Sequence, residues 1–293
     1  MSVGAWFREF CGSLTVPAEK RSTIGRRNRA ITRRLNLAYW DSEDESLFNR
    51  YVGSYGRGTA VGWFSDVDTL HILPQRVKDQ YDAYRGNGQS ALLQAVRNHI
   101  RKTYSSTDVG ADGQVVVVVF SDGTRFEVVP AFKRASGEFW IPDSNSGGQW
   151  RTTNPEPEIE AIRGLNGRTN GNLVNLARMA RAWRDEWSVP IKGLLIDTLA
   201  YEFLSSWEYA DKSYDWYDFM SRDFFDFLAA QNTDTKYWFA PGSYDLVWRM
   251  GAFEYKARTC ARKARQAIKE QTDGLAWTPK QTWREIYGGR FPA

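Results

Sequence analysis

The stretch Gly53 to Leu73, GSYGRGTAVGWFSDVDTLHIL, joins a Gly-Ser turn to an Asp-x-Asp pair, Asp66 and Asp68, that opens an apolar run. A Gly-Ser turn brings backbone N–H groups and a hydroxyl to bear on a phosphate. On a strand, carboxylates at i and i+2 point to one face, because the side-chain period is two. Acids held that close repel one another unless a cation lies between them. Mg²⁺ suits such a site: it takes few protein carboxylates and completes its shell with substrate phosphates. A phosphate cradle followed by a metal pair predicts phosphoryl or nucleotidyl transfer.

Secondary structure must position these groups. Hydrophobic spacing predicts a helix over Ser22–Trp40, a short strand over Phe48–Val52 and a short helix or turn over Gly58–Gly62. The carboxylate strand should run over Val67–Leu73 and stop at Pro74, with a helix following over Ser90–Tyr104. Gln114–Phe120 and Thr124–Phe132 read as a hairpin about Ser121-Asp122-Gly123, with Arg125, Glu127 and Val129 on one face of its second strand. Asp143–Pro157, rich in Ser, Gly, Asn and Pro, reads as a loop crossing from an α/β part to a helical one. Helices are expected over Glu158–Leu165, Asn172–Trp187, Ile191–Ser205, Tyr214–Ala230 and Ser243–Gln271. Trp283–Ala293 reads as an exposed tail.

The Gly-Ser turn, the Asp-x-Asp pair and a later acid, Glu127 before Val128-Val129-Pro130, resemble the signature of the polymerase-β-like nucleotidyltransferases. Thr153-Asn154-Pro155, the helix Leu173–Arg184 and the segment Pro190–Leu204 follow in an order similar to the bacterial CD-NTases. Those relatives of cyclic GMP-AMP synthase make cyclic oligonucleotide signals in anti-phage defence. The resemblance runs from about Lys20 to the end of the chain. It implies an α+β fold: a polymerase-β-like core with a mixed sheet, a C-terminal helical lobe, and an active site in the cleft between them. Residues 1–150 would hold the N-terminal helix and catalytic core, and residues 151–293 the helical nucleotide-binding lobe with its tail.

The resemblance also assigns roles. Asp66, Asp68 and Glu127 would be catalytic and bind two Mg²⁺ or Mn²⁺ ions. Gly53 and Ser54 would hold the β- and γ-phosphates. Arg181 and Lys192 match basic positions that contact the donor triphosphate, and Asn154 the position that selects the nucleobase. Asn at that place marks the uridine-using group, clade E; a turn starter is the equal alternative for an Asn-Pro step. Two departures stand out. The third carboxylate is Glu where the family usually has Asp, and Gly193 follows Lys192 where the family often has Ser. The implied reaction is attack of a ribose hydroxyl on an α-phosphate, with release of pyrophosphate and ring closure to a cyclic di- or trinucleotide. Two rivals share the motif: a template-independent RNA or protein nucleotidyltransferase, and a catalytically silent nucleotide-binding relative. The resemblance further implies a regulatory or ubiquitin-like conjugation partner at the C-terminal tail.

Composition narrows the rest. With 293 residues, 42% of them hydrophobic, the chain can bury one large domain or two packed ones. Two cysteines and two histidines exclude a Cys/His zinc site, and no disulfide framework is expected. No apolar run reaches the ~20 residues of a membrane helix, and the start lacks the pattern of a signal peptide, so a cytoplasmic protein with no membrane partner is expected. The net charge is +4, with basic clusters over Lys20–Arg34 and Lys256–Lys269. They read as solvated helix faces or as a nucleic-acid footprint, which the reaction does not require.

Overall fold

The computed structural model describes residues 2–64, 66–275 and 277–293, with the backbone alone at Asp112. They form two compact units, one of residues 17–56 and 63–156, the other of residues 1–16, 57–62 and 157–293.

The chain opens with α1 (Val3–Leu14), capped by the Ser2 hydroxyl accepting from Ala5 N–H. Its apolar positions Val3, Trp6, Phe7, Phe10 and Leu14 repeat at helical spacing and are buried. They pack with the helices of residues 157–293 in one hydrophobic cluster. This corrects the expected grouping of residues 1–150: the first sixteen belong to the helical unit.

The sheet unit follows in chain order: α2 (Ala18–Tyr39), β1 (Asn49–Tyr51), α3 (Gly53–Gly56), β2 (Asp66–Ile72), α4 (Gln75–Asp82) and α5 (Gly88–Arg101). Then come β3 (Asp108–Asp112), β4 (Val115–Val119), β5 (Arg125–Lys133), β6 (Phe139–Asp143) and β7 (Gln149–Thr153). The sheet runs β1-β2-β5-β4-β3, and β6 joins β5 to β7. β2 and β5 are parallel and the other pairs antiparallel, so the sheet is mixed. Alternation splits each strand between two layers. Val67, Phe126, Val128, Val116 and Val118 pack with Ile24, Ile31 and Leu35 of α2 and Leu92 and Val96 of α5. Leu70 and Ala131 face the other way, onto Phe139 and Ile141.

The helical unit holds α6 (Glu156–Arg168), α7 (Asn172–Glu186), α8 (Gly193–Ser206), α9 (Tyr217–Ala229), the hairpin β8 (Tyr237–Phe239) and β9 (Leu246–Trp248), α10 (Glu254–Thr272) and α11 (Thr278–Tyr287).

Four expectations change. The short helix lies at Gly53–Gly56 rather than Gly58–Gly62. Gln149–Thr153 is strand, held by the Trp150 indole donating to Asp82 Oδ1 at 2.6 Å and by the Trp150 ring against Phe132. The long helix starts at Glu254 rather than Ser243. Upstream of it, Trp238 and Val247 are buried while their neighbours Tyr237, Phe239, Leu246 and Trp248 are exposed, an alternation of period two about a Pro241-Gly242 turn. The terminal segment is docked, since Trp283, Ile286, Tyr287 and Phe291 are buried with the Phe7 and Phe10 rings.

Candidate active site

Parallel pairing of β2 with β5 sets the carboxylates in register. Asp68 lies opposite Glu127, and Asp66 opposite Arg125. Neighbouring strands run about 4.8 Å apart, so Asp68 and Glu127 share one short stretch of one face. This is the face that continues into Leu70, Val129 and Ala131. Asp66 is exposed; Asp68 and Glu127 are half-buried.

The Gly-Ser turn comes to the same place. Val52 N–H donates to the Asp68 carbonyl at 2.9 Å, seating the turn beside β2. Gly53 takes φ +60°, and a Cβ there would lie 1.9 Å from Asp68 Oδ2. Only glycine allows both that backbone conformation and that approach. Ser54 is half-buried in the first turn of α3. The structure thus gathers Gly53, Ser54, Asp66, Asp68 and Glu127 in the sheet unit.

The donor set fits a divalent cation such as Mg²⁺, since it consists of carboxylate oxygens with Asp68 and Glu127 in register. The carboxylates are not drawn together, however. Among the described residues no three His, Cys, Asp or Glu side chains converge as ligands. Glu127 turns its Oε1 to the Arg125 guanidinium at 2.9 Å.

Arg181 and Lys192 lie in the helical unit and differ from each other. Lys192 is exposed just before α8. Arg181, expected on a triphosphate, is buried and committed to protein partners. It pairs with Asp197 Oδ1 at 2.7 Å and donates to Thr59 Oγ1 and to the Gly193 and Ala177 carbonyls. A Cβ at position 193 would lie 3.2 Å from the Arg181 guanidinium, so glycine there leaves room for it. Arg57 reaches the same centre, 3.0 Å from Asp197 Oδ2 and 3.2 Å from Glu158 Oε2. Burial alone would raise the Asp197 carboxyl. Arg181 and Arg57 outweigh it and hold the group below the usual carboxylate range. Burial raises the Glu158 carboxyl despite Arg57. Arg178 donates to the Ala60 and Gly58 carbonyls, so residues 58–60 are held from α7 as well. Nothing in the sequence marks Asp197 or Glu158; Arg57 and Thr59 just beyond the Gly-Ser turn are the available signal, Arg57 as a group able to pair with a phosphate or a carboxylate.

Asn154 is half-buried directly after β7. The basic clusters are partly self-satisfied. Arg27 pairs with Asp122, Arg33 with Glu43, Arg265 with Asp226 and Lys269 with Asp273. No helix among the described residues is long and apolar enough to cross a membrane.

A family model, the Second Messenger Oligonucleotide or Dinucleotide Synthetase domain, matches residues 1–166. That is more than half of the chain, which therefore belongs to this family, the bacterial CD-NTases. A probable cyclic nucleotide synthase of Bacillus cereus strain VD146 is 23% identical over 183 residues, 57% of this chain and 52% of that protein. The chain thus spans about half the length of that curated relative. Among solved structures, CdnC of Escherichia coli MS115-1, in a complex with HORMA-deltaN, superposes with a TM-score of 0.68 at 16% identity, covering 98% of this chain and 96% of that one. CdnG of Bradyrhizobium diazoefficiens, in complex with GTP, gives 0.67 at 12% identity, covering 98% and 95%. Vibrio cholerae DncV, a cyclic AMP-GMP synthase, gives 0.65 at 14% identity, covering 96% and 93%. These likenesses carry the fold: the polymerase-β-like CD-NTase arrangement with its mixed sheet.

Proposed function

We propose that this chain is a metal-dependent nucleotidyltransferase that builds a cyclic di- or trinucleotide second messenger from ribonucleoside triphosphates. The observation that carries this is the register of Asp68 with Glu127 directly beside the Gly53 turn. Asp66, Asp68 and Glu127 would hold two Mg²⁺ or Mn²⁺ ions. When bound, such ions supply charge stabilisation for the attacking and leaving oxygens. The Gly53-Ser54 turn would orient the β- and γ-phosphates, and Lys192 would add charge to the triphosphate. Glu127 would take the proton of the attacking ribose hydroxyl, which adds to the α-phosphate as pyrophosphate leaves. Arg181 would act indirectly, by fixing Thr59 within the segment 57–62.

Asn154 offers a donor and an acceptor to a base edge, and uracil presents a complementary pair, so a uridine-containing product is our reading. Family membership supports a role in anti-phage signalling and a regulatory protein partner, as in the HORMA complex of CdnC. A ubiquitin-like conjugation partner at the C-terminal tail is part of this reading, with Pro292 and Ala293 following the buried Phe291.

The test is a product assay with four ribonucleoside triphosphates and Mg²⁺ or Mn²⁺, phosphatase treatment and mass spectrometry. A phosphatase-resistant cyclic species, absent from Asp66→Asn/Asp68→Asn, is expected, and its bases test Asn154. A labelled RNA or protein product would instead favour a polymer- or protein-modifying enzyme. A second reading, a silent nucleotide-binding relative, draws on the Arg125–Glu127 pair. It predicts triphosphate binding by calorimetry without pyrophosphate release.

A further inference from the structure

Arg125 stands on the carboxylate face of β5, opposite Asp66 and two residues before Glu127. Its side chain is 44% exposed and that of Glu127 27%. One terminal nitrogen of the guanidinium meets Glu127 Oε1 at 2.9 Å. Its Nε is buried and has no hydrogen-bond partner. A guanidinium carries five N–H donors, so this one retains spare donors beside the expected phosphate site. The contrast with Arg181 is direct, since Arg181 donates to four protein groups.

A cation and a guanidinium compete for one carboxylate, because each neutralises it. Planar N–H donors also match phosphate oxygens bidentately. We propose that Arg125 is an exchangeable, substrate-facing residue of the site. It neutralises Glu127 in the metal-free protein. Once Glu127 is drawn to a divalent cation, the guanidinium turns to a phosphate of the nucleotide. This rests on the nucleotidyltransferase reading above.

The test uses the full chain, with Mn²⁺ binding followed by electron paramagnetic resonance without nucleotide. KM for triphosphates is measured separately at saturating Mn²⁺. Arg125→Gln should bind Mn²⁺ about threefold more tightly, the scale of an exposed ion pair. Its KM should rise about tenfold, the scale of a charge-assisted hydrogen bond. Arg125→Lys should recover part of the KM. In a Glu127→Gln background, Arg125→Gln should leave Mn²⁺ affinity unchanged. A merely structural arginine would not move the two affinities in opposite directions, and the melting temperature controls for folding. Unchanged or weaker Mn²⁺ binding in Arg125→Gln overturns the proposal, and so does an unchanged KM. If the wild type binds Mn²⁺ and triphosphate and the variant matches it, the role of Arg125 alone fails. If the wild type takes up neither, the nucleotidyltransferase reading beneath it fails as well.

Discussion

The carboxylates of β2 and β5 and the carboxylate of Asp197 are the same chemistry in opposite settings. Asp66 is exposed, and Glu127 leans on a half-exposed arginine. Asp197 has no exposure and is met by Arg181, Arg57 and Thr59. A charge left accessible keeps its capacity to bind something else. A charge fully paired inside the protein spends that capacity on architecture. Removing a carboxylate from the first region should therefore cost chemistry, and from the second stability.

The largest expected effect lies in the first region. Asp68→Asn and Asp66→Asn should each lower product formation by about 10³-fold or more, since metal-borne charge stabilisation is worth several kcal/mol. Asp66→Asn, at an exposed position, should shift unfolding free energy by no more than about 0.5 kcal/mol. Urea melts beside the product assay check both. A large stability loss at Asp66 would break the comparison.

Asp197→Ala should lower unfolding free energy by about 3–5 kcal/mol, because it leaves the buried Arg181 guanidinium without its counter-charge and Arg57 with Glu158 alone. Chemical denaturation followed by tryptophan fluorescence reads this directly. Native stability in Asp197→Ala with lost activity would move Asp197 into the catalytic class and erase the distinction. Gly53→Ala falls next. The added Cβ meets Asp68 Oδ2, and φ is positive. If Asp68 has the proposed role, displacing its carboxylate by even about 1 Å should cost about 10² in rate. Kinetics should show a fall of that order with the fold retained by circular dichroism.

Much of the first region was legible in the sequence because strand alternation and motif order are local. The shared face of Asp66 and Asp68 needed only a period of two, whereas Glu127 was marked by the family resemblance and its register with Asp68 comes from the pairing of β2 with β5. The second region was not legible, since Arg57, Arg181 and Asp197 are distant in sequence and nothing local marks which of several arginines becomes buried. Arg181 and Arg184 have the same charge on one helix, yet Arg181 is enclosed and Arg184 pairs with neighbouring Asp185. The β8–β9 hairpin was missed for a different reason. Its strands are three residues each; Leu246–Trp248 falls inside the helix expected from Ser243, and Tyr237–Phe239 lies between the expected helices. The terminus was misread because Gly288, Gly289 and Pro292 suggest looseness, while Phe291 between them anchors the segment on Phe7 and Phe10.

The smallest effect sharpens the comparison on one strand. His71 shares β2 with Asp66 and Asp68 but points to the opposite layer, fully buried, with neither ring nitrogen hydrogen-bonded. Burial pushes its pKa down to about 3, against an unfolded value of about 6.5. Between those values the unfolded chain binds a proton that the folded protein refuses. Stability should therefore be unaffected by His71 above about pH 6.5 and fall as pH drops toward about 3, at no more than about 1.4 kcal/mol per pH unit. His71→Leu should flatten that acid limb while leaving the neutral-pH product assay within about twofold. Unfolding free energies at pH 7.5, 6, 5 and 4 for both proteins measure the difference. Parallel curves would mean that the folded interior accepts the proton, and that the two faces of β2 differ less in polarity than their burial implies.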